Sequence, residues 1–253
     1  MNKNLLEKYK QDFNTVLSIY ENTNSHDELI GYLKSGSIAE KQAATIKLDG
    51  IYNKEEAEIF VANLTGCDGK IREAVSFKLK EFLPLKPSFY VNFVDIFLDA
   101  IIDINGNICR NVIDAIQPLK AFPEFTSNFC DKLTQKTGLI IPPILAFDIQ
   151  ERKYKINKEV FKLYWYLETI SYFTEFIDLE TIFEILSKTK NIDDYTIREK
   201  TAKILTKIEN QEKFDKIKSE LKKDKNYYVR RVWENILSFI TQFIKNIYVL
   251  RNF

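Results

Sequence analysis

The sequence DKNYYVRRVWENIL, residues 224–237, places a polar turn before two adjacent arginines at the start of an apolar helical stretch. Four other segments show the same order of a turn, a basic residue and an apolar series: SIAEKQAATIKL from residue 37, DGKIREAVSFKL from 68, NGNICRNVIDAI from 105 and DDYTIREKTAKIL from 193. Their alignment puts basic residues in one column: Lys41, Arg72, Arg110, Arg198 and Arg230. An amphipathic helix precedes each segment, so the repeating unit is a helix pair of roughly 30 to 45 residues.

Stacked helix pairs explain the repetition, because a single pair of this size cannot bury its own apolar faces. The chain is 45% hydrophobic and 29% charged with only 7 Gly and 6 Pro, which favours helix over a turn-rich β fold. We therefore predict an all-α fold of about five or six helix pairs. The whole chain forms a single helical-repeat domain in this interpretation, with an N-terminal capping helix at 1–24, regular repeats at 25–122, an irregular repeat at 123–177, and C-terminal repeats with a long capping helix at 178–253.

The basic column carries a family resemblance. The pairs Ile71-Arg72, Cys109-Arg110, Ile197-Arg198 and Val229-Arg230 resemble the HEAT-repeat family, whose second helix typically opens with an Asp-containing turn and a Val-Arg pair. The resemblance covers most of residues 25–240. It implies a right-handed α-α superhelix, a HEAT/armadillo-like solenoid, whose second helices form a concave face that binds an extended protein partner.

Residues 224–237 also resemble a segment of the alkylpurine glycosylases of the DNA-alkylation-repair family, which are helical-repeat proteins of similar length. That likeness implies a nucleic-acid ligand, with Arg230 or Arg231 as a phosphate contact. The Trp-Trp-Asp-type stretch of those enzymes has no counterpart here, since the two tryptophans, Trp165 and Trp233, are isolated.

Helix starts are predicted at residues whose side chains accept backbone N–H groups. Ser25 with Glu28, and Ser37 with Glu40, fit the capping box, in which both side chains satisfy free N–H groups of the first turn. Further expected N-caps are Asn53, Asp68, Asn157, Asp178 and Asp193 or Asp194. Within 123–173 the spacing predicts three helices, at about 123–136, 142–152 and 157–173, with a break at the IIPPIL segment because each Pro disfavours helix at the preceding residue.

Both ends of the chain carry apolar stripes at helical spacing. The N-terminal stripe fits a capping helix and consists of Leu5, Leu6, Tyr9, Phe13, Val16, Leu17 and Tyr20. The C-terminal stripe fits either a cap or a contact surface for a second copy or a partner, and consists of Val229, Trp233, Ile236, Ile240, Phe243, Ile247 and Leu250.

Common catalytic and metal sites lack their residues in this sequence. The single histidine, His26, sits in a predicted first helical turn without a Ser or Cys context that points to it, and the three cysteines have no CxxC spacing. Glycine-rich phosphate loops are absent from the sequence. We therefore expect no catalytic residues, no metal and no cofactor. The unpaired cysteines and the charged first residues predict a cytoplasmic protein, and the sequence has no apolar run long enough to span a membrane.

Two regions are candidate binding surfaces. Residues 188–231 contain fourteen basic and eight acidic residues, so they either bind phosphates or form solvated faces paired with neighbouring acids. The run Tyr164, Trp165 and Tyr166 cannot place all three rings on one side of a helix, so at least one is exposed or packed on a neighbouring repeat. The candidate binding residues are Arg231, Lys200, Lys203, Lys207, Tyr164, Trp165 and Tyr166. Arg231 is the arginine of the 230–231 pair without basic counterparts in the alignment. A protein partner is the favoured ligand and nucleic acid is the alternative; the sequence leaves the oligomeric state open.

Overall fold

The computed structural model describes residues 3–66, 68–147, 153–208 and 211–234, except for the side chains of residues 3–5, 8 and 153–156. These residues form helices and no strand, as predicted. The contacts divide the chain into two compact units, 1–129 and 130–253. Each unit is described by itself.

Thirteen α-helices are formed by the described residues. They are α1 (Lys3–Glu21), α2 (His26–Ser35), α3 (Ile38–Lys47), α4 (Lys54–Ala62), α5 (Gly69–Phe82), α6 (Val94–Ala100), α7 (Gly106–Ala115), α8 (Pro123–Leu145), α9 (Lys153–Phe173), α10 (Leu179–Thr189), α11 (Tyr195–Leu205), α12 (Glu212–Lys222) and α13 (227–234, as far as it is described). Short 3₁₀ turns lie at Leu83–Leu85, Pro87–Phe89, Gln117–Ala121 and Thr174–Phe176.

The first unit has two layers of helices. The odd-numbered helices α1, α3, α5 and α7 lie side by side, each in contact with the next. In the other layer α2 contacts α4, and the pairs α2–α3 and α6–α7 join the two layers. The core between them is built from fully buried apolar side chains that include Leu33, Phe60, Leu79, Phe97 and Val112. Helix pairs thus share one core, which is the physical reason for the repeat.

The second unit repeats this arrangement. Here α9 packs against α11, α10 packs against α12, and α11 contacts both α10 and α12. Leu167, Leu186, Ile204 and Phe214 are among the fully buried residues of this core.

Helix starts follow the predicted caps. Both capping boxes are present, with Ser25 and Glu28 at α2 and Ser37 and Glu40 at α3. Four of the five other predicted N-caps accept a backbone N–H of their own first turn with the side chain, which satisfies donors that a helix start leaves free. These caps are Asn53, Asp68, Asp178 and Asp194. The prediction of an N-cap at Asn157 is wrong, because this residue lies inside α9 and not at a helix start.

The predicted break at IIPPIL is wrong, because α8 continues through Pro142 and Pro143 to Leu145. A proline inside a helix removes the N–H that would bond the carbonyl four residues earlier. The carbonyls that lose a partner here belong to Gly138 and Leu139, and both residues are exposed, so water can satisfy them. The described residues of 123–173 therefore form two helices, α8 and α9, where the spacing predicts three.

Among the residues that the structure describes, every helix is too short or too polar to cross a lipid bilayer. Most of the predicted C-terminal stripe, from Ile236 onward, lies outside the described residues. Its first residue, Val229, is buried, and Lys222 Nζ stands 5.3 Å from the centroid of the Trp233 ring.

Candidate functional site

Alignment on the N-caps changes one member of the basic column. The fourth residue after the N-cap is Lys41 in α3, Arg72 in α5, Arg198 in α11 and Arg230 in α13. In α7, whose N-cap is Asn105, the fourth residue is Cys109 and not Arg110. Cys109 is buried while Arg110 is exposed. Arg110 therefore shares the next column with Arg231, which is also exposed.

Two arginines of the column make equivalent bonds to the following repeat. Arg72 Nε donates to Asp103 Oδ2 at 2.6 Å, and Arg198 Nε donates to Asp224 Oδ2 at 2.6 Å. Each aspartate stands two residues before the N-cap of the next odd-numbered helix. Its other oxygen accepts the N–H of that N-cap residue, at 2.8 Å for Asn105 and 2.7 Å for Asn226. Lys41 acts similarly, with Nζ donating to Asn63 Oδ1 at 3.0 Å in the turn between α4 and α5.

Three members of the column also tie their helix to its own preceding turn. Arg198 Nη1 donates to the Ile192 carbonyl at 2.8 Å, and Arg230 Nη1 donates to the Asp224 carbonyl at 2.6 Å. Cys109 Sγ reaches the Asp103 carbonyl at 3.1 Å. In all three cases the carbonyl lies six residues earlier. The column is therefore a structural device that joins turns to helices, and its members are not available to a ligand.

Burial and neighbouring charges shift the pKa values of two groups here, the Cys109 thiol and the Asp224 carboxyl that Arg198 bonds. Burial, helped by the nearby Asp103 carboxylate, raises the pKa of the Cys109 thiol to about 12, so the thiol stays protonated. Burial pushes the pKa of Asp224 up, but the hydrogen bonds from Arg198 and from the Asn226 N–H outweigh it and leave that pKa below its ordinary value.

The lowered pKa of Asp224 predicts an acid-sensitive contribution to stability. A carboxyl whose folded pKa lies below its unfolded value stabilises the protein above the unfolded pKa, about 4, and loses this effect as pH falls through the folded pKa. We expect the difference in free energy of unfolding between the wild type and Asp224→Asn to be largest near neutral pH. It should shrink below about pH 4. Urea unfolding at several pH values measures this; a constant difference would contradict the assignment.

The predicted basic binding residues lie on α11 or just after it and face α9. Groups of α9, mainly acidic and aromatic side chains, contact most of them. Lys200 is only 4% exposed, its ammonium pairs with Glu168, and it lies 4.4 Å from the centroid of the Tyr164 ring. Lys207 donates to the Ser171 carbonyl at 2.5 Å near the C-terminal end of α9. Lys203 pairs with Glu199 at 2.8 Å on its own helix. The prediction that Lys200 contacts a phosphate is therefore wrong, because burial makes its ammonium inaccessible to any ligand.

Other lysines of the basic third are paired as well. Lys213 pairs with Glu180 and Lys225 with Asp193, at 3.0 and 2.8 Å, and Lys190 pairs with Glu220. Each pair joins residues about thirty positions apart, so these ion pairs link neighbouring repeats. The excess of base in the sequence does not form a free cationic surface at these positions.

The predicted aromatic residues separate by burial. Trp165 and Tyr166 are buried, while Tyr164 is half-buried beneath the Lys200 ammonium. Of the three adjacent rings, only that of Tyr164 is thus partly accessible. The prediction that Trp165 and Tyr166 bind a ligand is wrong, because both side chains belong to the core. Arg231 is exposed on α13, beside the exposed rings of Tyr227 and Tyr228.

A groove on the first unit was not predicted from the sequence. It has a volume of about 600 Å³ and crosses the outer side of α3, α5 and α7. Its lining consists of Gln42, Ile46, Lys70, Glu73, Ala74, Phe77, Lys78, Asn107 and Asn111. Phe77 is 59% exposed and Ile46 is 45% exposed, although both are large and apolar.

The helical register explains how these residues meet. Ile46 and Phe77 both stand nine residues after their N-caps, at a position where α7 has Asp114 and α11 has Lys203. Apolar residues at this outward position are the sequence signal that could have revealed the groove. Among the described residues, the carboxamides of Gln42 and Asn107 make no hydrogen bond, whereas Asn111 Nδ2 donates to Ser76 Oγ at 3.2 Å. The groove therefore combines apolar anchors with unpaired donors and acceptors.

His26 is tied into the fold. Its Nε2 lies 2.9 Å from Glu56 Oε2, its ring stacks on Tyr52 at 4.3 Å between centroids, and its Nδ1 lies 3.6 Å from Asp49 Oδ1. Glu56 also accepts the Tyr52 N–H at 2.8 Å. The histidine is half-buried because it holds the 49–53 turn against the start of α2.

In comparisons with known proteins, the chain matches no protein-family model, no curated protein and no solved structure.

Proposed function

We propose that this chain is a non-catalytic helical-repeat scaffold, a right-handed HEAT-like solenoid that binds an extended segment of a protein partner. The groove across α3, α5 and α7 carries the proposal. A backbone in an extended conformation presents N–H and C=O groups that are unpaired, and a carboxamide can both donate and accept. Gln42 and Asn107 have this capacity unused within the described residues.

The apolar anchors of the groove supply the binding free energy. Phe77 and Ile46 stand on adjacent helices of one layer and are open to solvent. Large side chains that become buried in an interface account for most of its affinity, whereas surrounding polar groups set the register. An extended peptide with apolar residues at suitable spacing satisfies both kinds of group.

Nucleic acid is the alternative ligand, and the described charges support it less well. Lys200, Lys203, Lys213 and Lys225 are paired with carboxylates. The lysines at 216, 222 and 223 lie on or next to α12, where the Lys222 ammonium stands 5.3 Å from the centroid of the Trp233 ring. Arg231 remains exposed for such a ligand.

Peptide selection tests the proposed groove directly. We expect the immobilised full chain to enrich peptides from a random display library, and the enriched peptides to bind at least about tenfold more weakly to Phe77→Glu. Leu85→Glu is the matched control, because Leu85 is an equally exposed apolar residue of the same unit outside the groove. Fluorescence anisotropy measures both dissociation constants.

Two results would oppose the groove. Enriched peptides that bind Phe77→Glu as tightly as the wild type would remove it as the site. Binding to duplex DNA that weakens strongly between about 50 and 200 mM salt, and that Arg231→Ala reduces, would favour the nucleic-acid alternative.

A further inference from the structure

Helix α1 exposes a continuous apolar stripe that the described residues do not cover. Its members are large and between 41% and 64% exposed: Leu6, Tyr9, Phe13, Leu17 and Tyr20. The sequence predicts these residues as the buried side of a capping helix. The structure instead buries Ile19 and leaves Val16 half-buried, while the side chain of Leu5 lies outside the described residues.

The helical period places the stripe on the outer part of a wider apolar arc of α1. At about 100° per residue, the five exposed side chains fall within roughly 80° of the helix circumference, centred on Phe13. Ile19 points about 120° away from that centre, toward α3, which is the helix that α1 packs against. Val16 lies about 60° from Phe13, between the stripe and Ile19. The apolar arc of α1 is therefore wider than the part that packs on α3, and the stripe is the part that the described residues leave exposed.

Exposed apolar stripes of this size mark interaction surfaces in soluble proteins. With side-chain areas of about 150 to 250 Å² for the aromatic residues, the stripe presents roughly 500 Å² of accessible surface. Two such stripes in contact would bury about 1,000 Å² in total, near the lower limit for a specific interface.

The spacing of the stripe has a symmetry that selects its partner. Leu6 and Tyr20 each stand seven residues from Phe13, and Tyr9 and Leu17 each stand four residues from it. In an antiparallel pair of identical helices related by a two-fold axis at Phe13, Leu6 of one copy is level with Tyr20 of the other, and Tyr9 is level with Leu17. A two-fold interface must be self-complementary in this way.

We propose that α1 forms a homodimer interface in which the stripes of two chains pack antiparallel about Phe13. Within the described residues α1 is the first of the odd-numbered helices and packs on α3, and a second copy would lie against its exposed stripe. The stripe and the groove on α3, α5 and α7 have no residue in common.

Sedimentation equilibrium of the full chain tests the dimer. We expect a concentration-dependent dimer in the micromolar range, and a rise of about 100-fold or more in the dissociation constant for Phe13→Glu, because each substitution acts on both copies. Phe77→Glu, a matched change at an equally exposed phenylalanine, should leave the dimer intact.

Cross-linking tests the register. In a Cys67→Ser background, oxidising a mixture of Leu6→Cys and Tyr20→Cys chains should give a disulfide heterodimer in higher yield than either variant alone. Circular dichroism confirms that each variant is folded.

Three outcomes would overturn the proposal. The first is a wild-type chain that stays monomeric at about 100 μM. The second is a dimer that Phe77→Glu disrupts and Phe13→Glu does not. The third is a dimer that is lost on deletion of 235–253 while Phe13→Glu leaves it unchanged, which would place the contact on the C-terminal stripe.

Discussion

Replacing Arg198 with alanine should lower the free energy of unfolding of the second unit by about 3–5 kcal/mol. Arg198 is 6% exposed and bonds Asp224 through two nitrogens, at 2.6 and 3.2 Å, and the Ile192 and Asp193 carbonyls through a third. Truncation leaves a carboxylate with 8% of its side-chain surface exposed and without its main partner. Losing one member of a buried pair is costly for this reason.

Arg110→Ala is the matched control for this substitution. The sequence places Arg110 in the same column, but the structure leaves its side chain exposed, so we expect a change within about 0.5 kcal/mol. Both tryptophans, Trp165 and Trp233, lie in the second unit, so urea unfolding followed by tryptophan fluorescence measures the Arg198 effect. Unfolding of the first unit requires circular dichroism. Similar losses for both substitutions would mean that alignment by sequence was the better guide.

Replacing Lys200 with methionine should destabilise the second unit by about 2 kcal/mol, although Lys200 was a candidate ligand-binding residue. Methionine keeps the apolar stem but removes the ammonium that pairs with Glu168 and faces the Tyr164 ring. The loss is smaller than for Arg198 because the Glu168 side chain is 22% exposed and can be partly hydrated. Urea unfolding provides the measurement.

Two further variants identify the origin of that loss. Lys203→Met removes an ammonium whose side chain is 44% exposed, so we expect a change of about 0.5 kcal/mol or less. Adding Glu168→Leu to Lys200→Met should recover most of the stability, since an apolar pair of similar volume replaces a buried ion pair at little cost. If the double variant is no more stable than Lys200→Met, the unpaired carboxylate is not the cause.

The contrast between Arg110 and Cys109 shows where alignment of a sequence by its charges fails. NGNICR contains one residue more between its turn and its arginine than DGKIR does. The N-cap defines this position. The side chain of the fourth residue after the cap points back toward the preceding turn, whatever its chemical type. Cys109 fills it with a thiol that reaches the carbonyl six residues earlier, the equivalent of those that Arg198 and Arg230 bond.

The sequence by itself determined the all-helical fold, most of the helix starts and the pairing of helices, because capping and amphipathic spacing act within a few residues. Only the tertiary structure decided which charges are buried with partners, as for Lys200 and Arg198, and which apolar residues stay open, as for Phe77 and Phe13. Those outcomes depend on residues about thirty positions away, brought close by the stacking of repeats. A helical period marks one face as apolar, but it does not say whether a neighbouring helix covers that face.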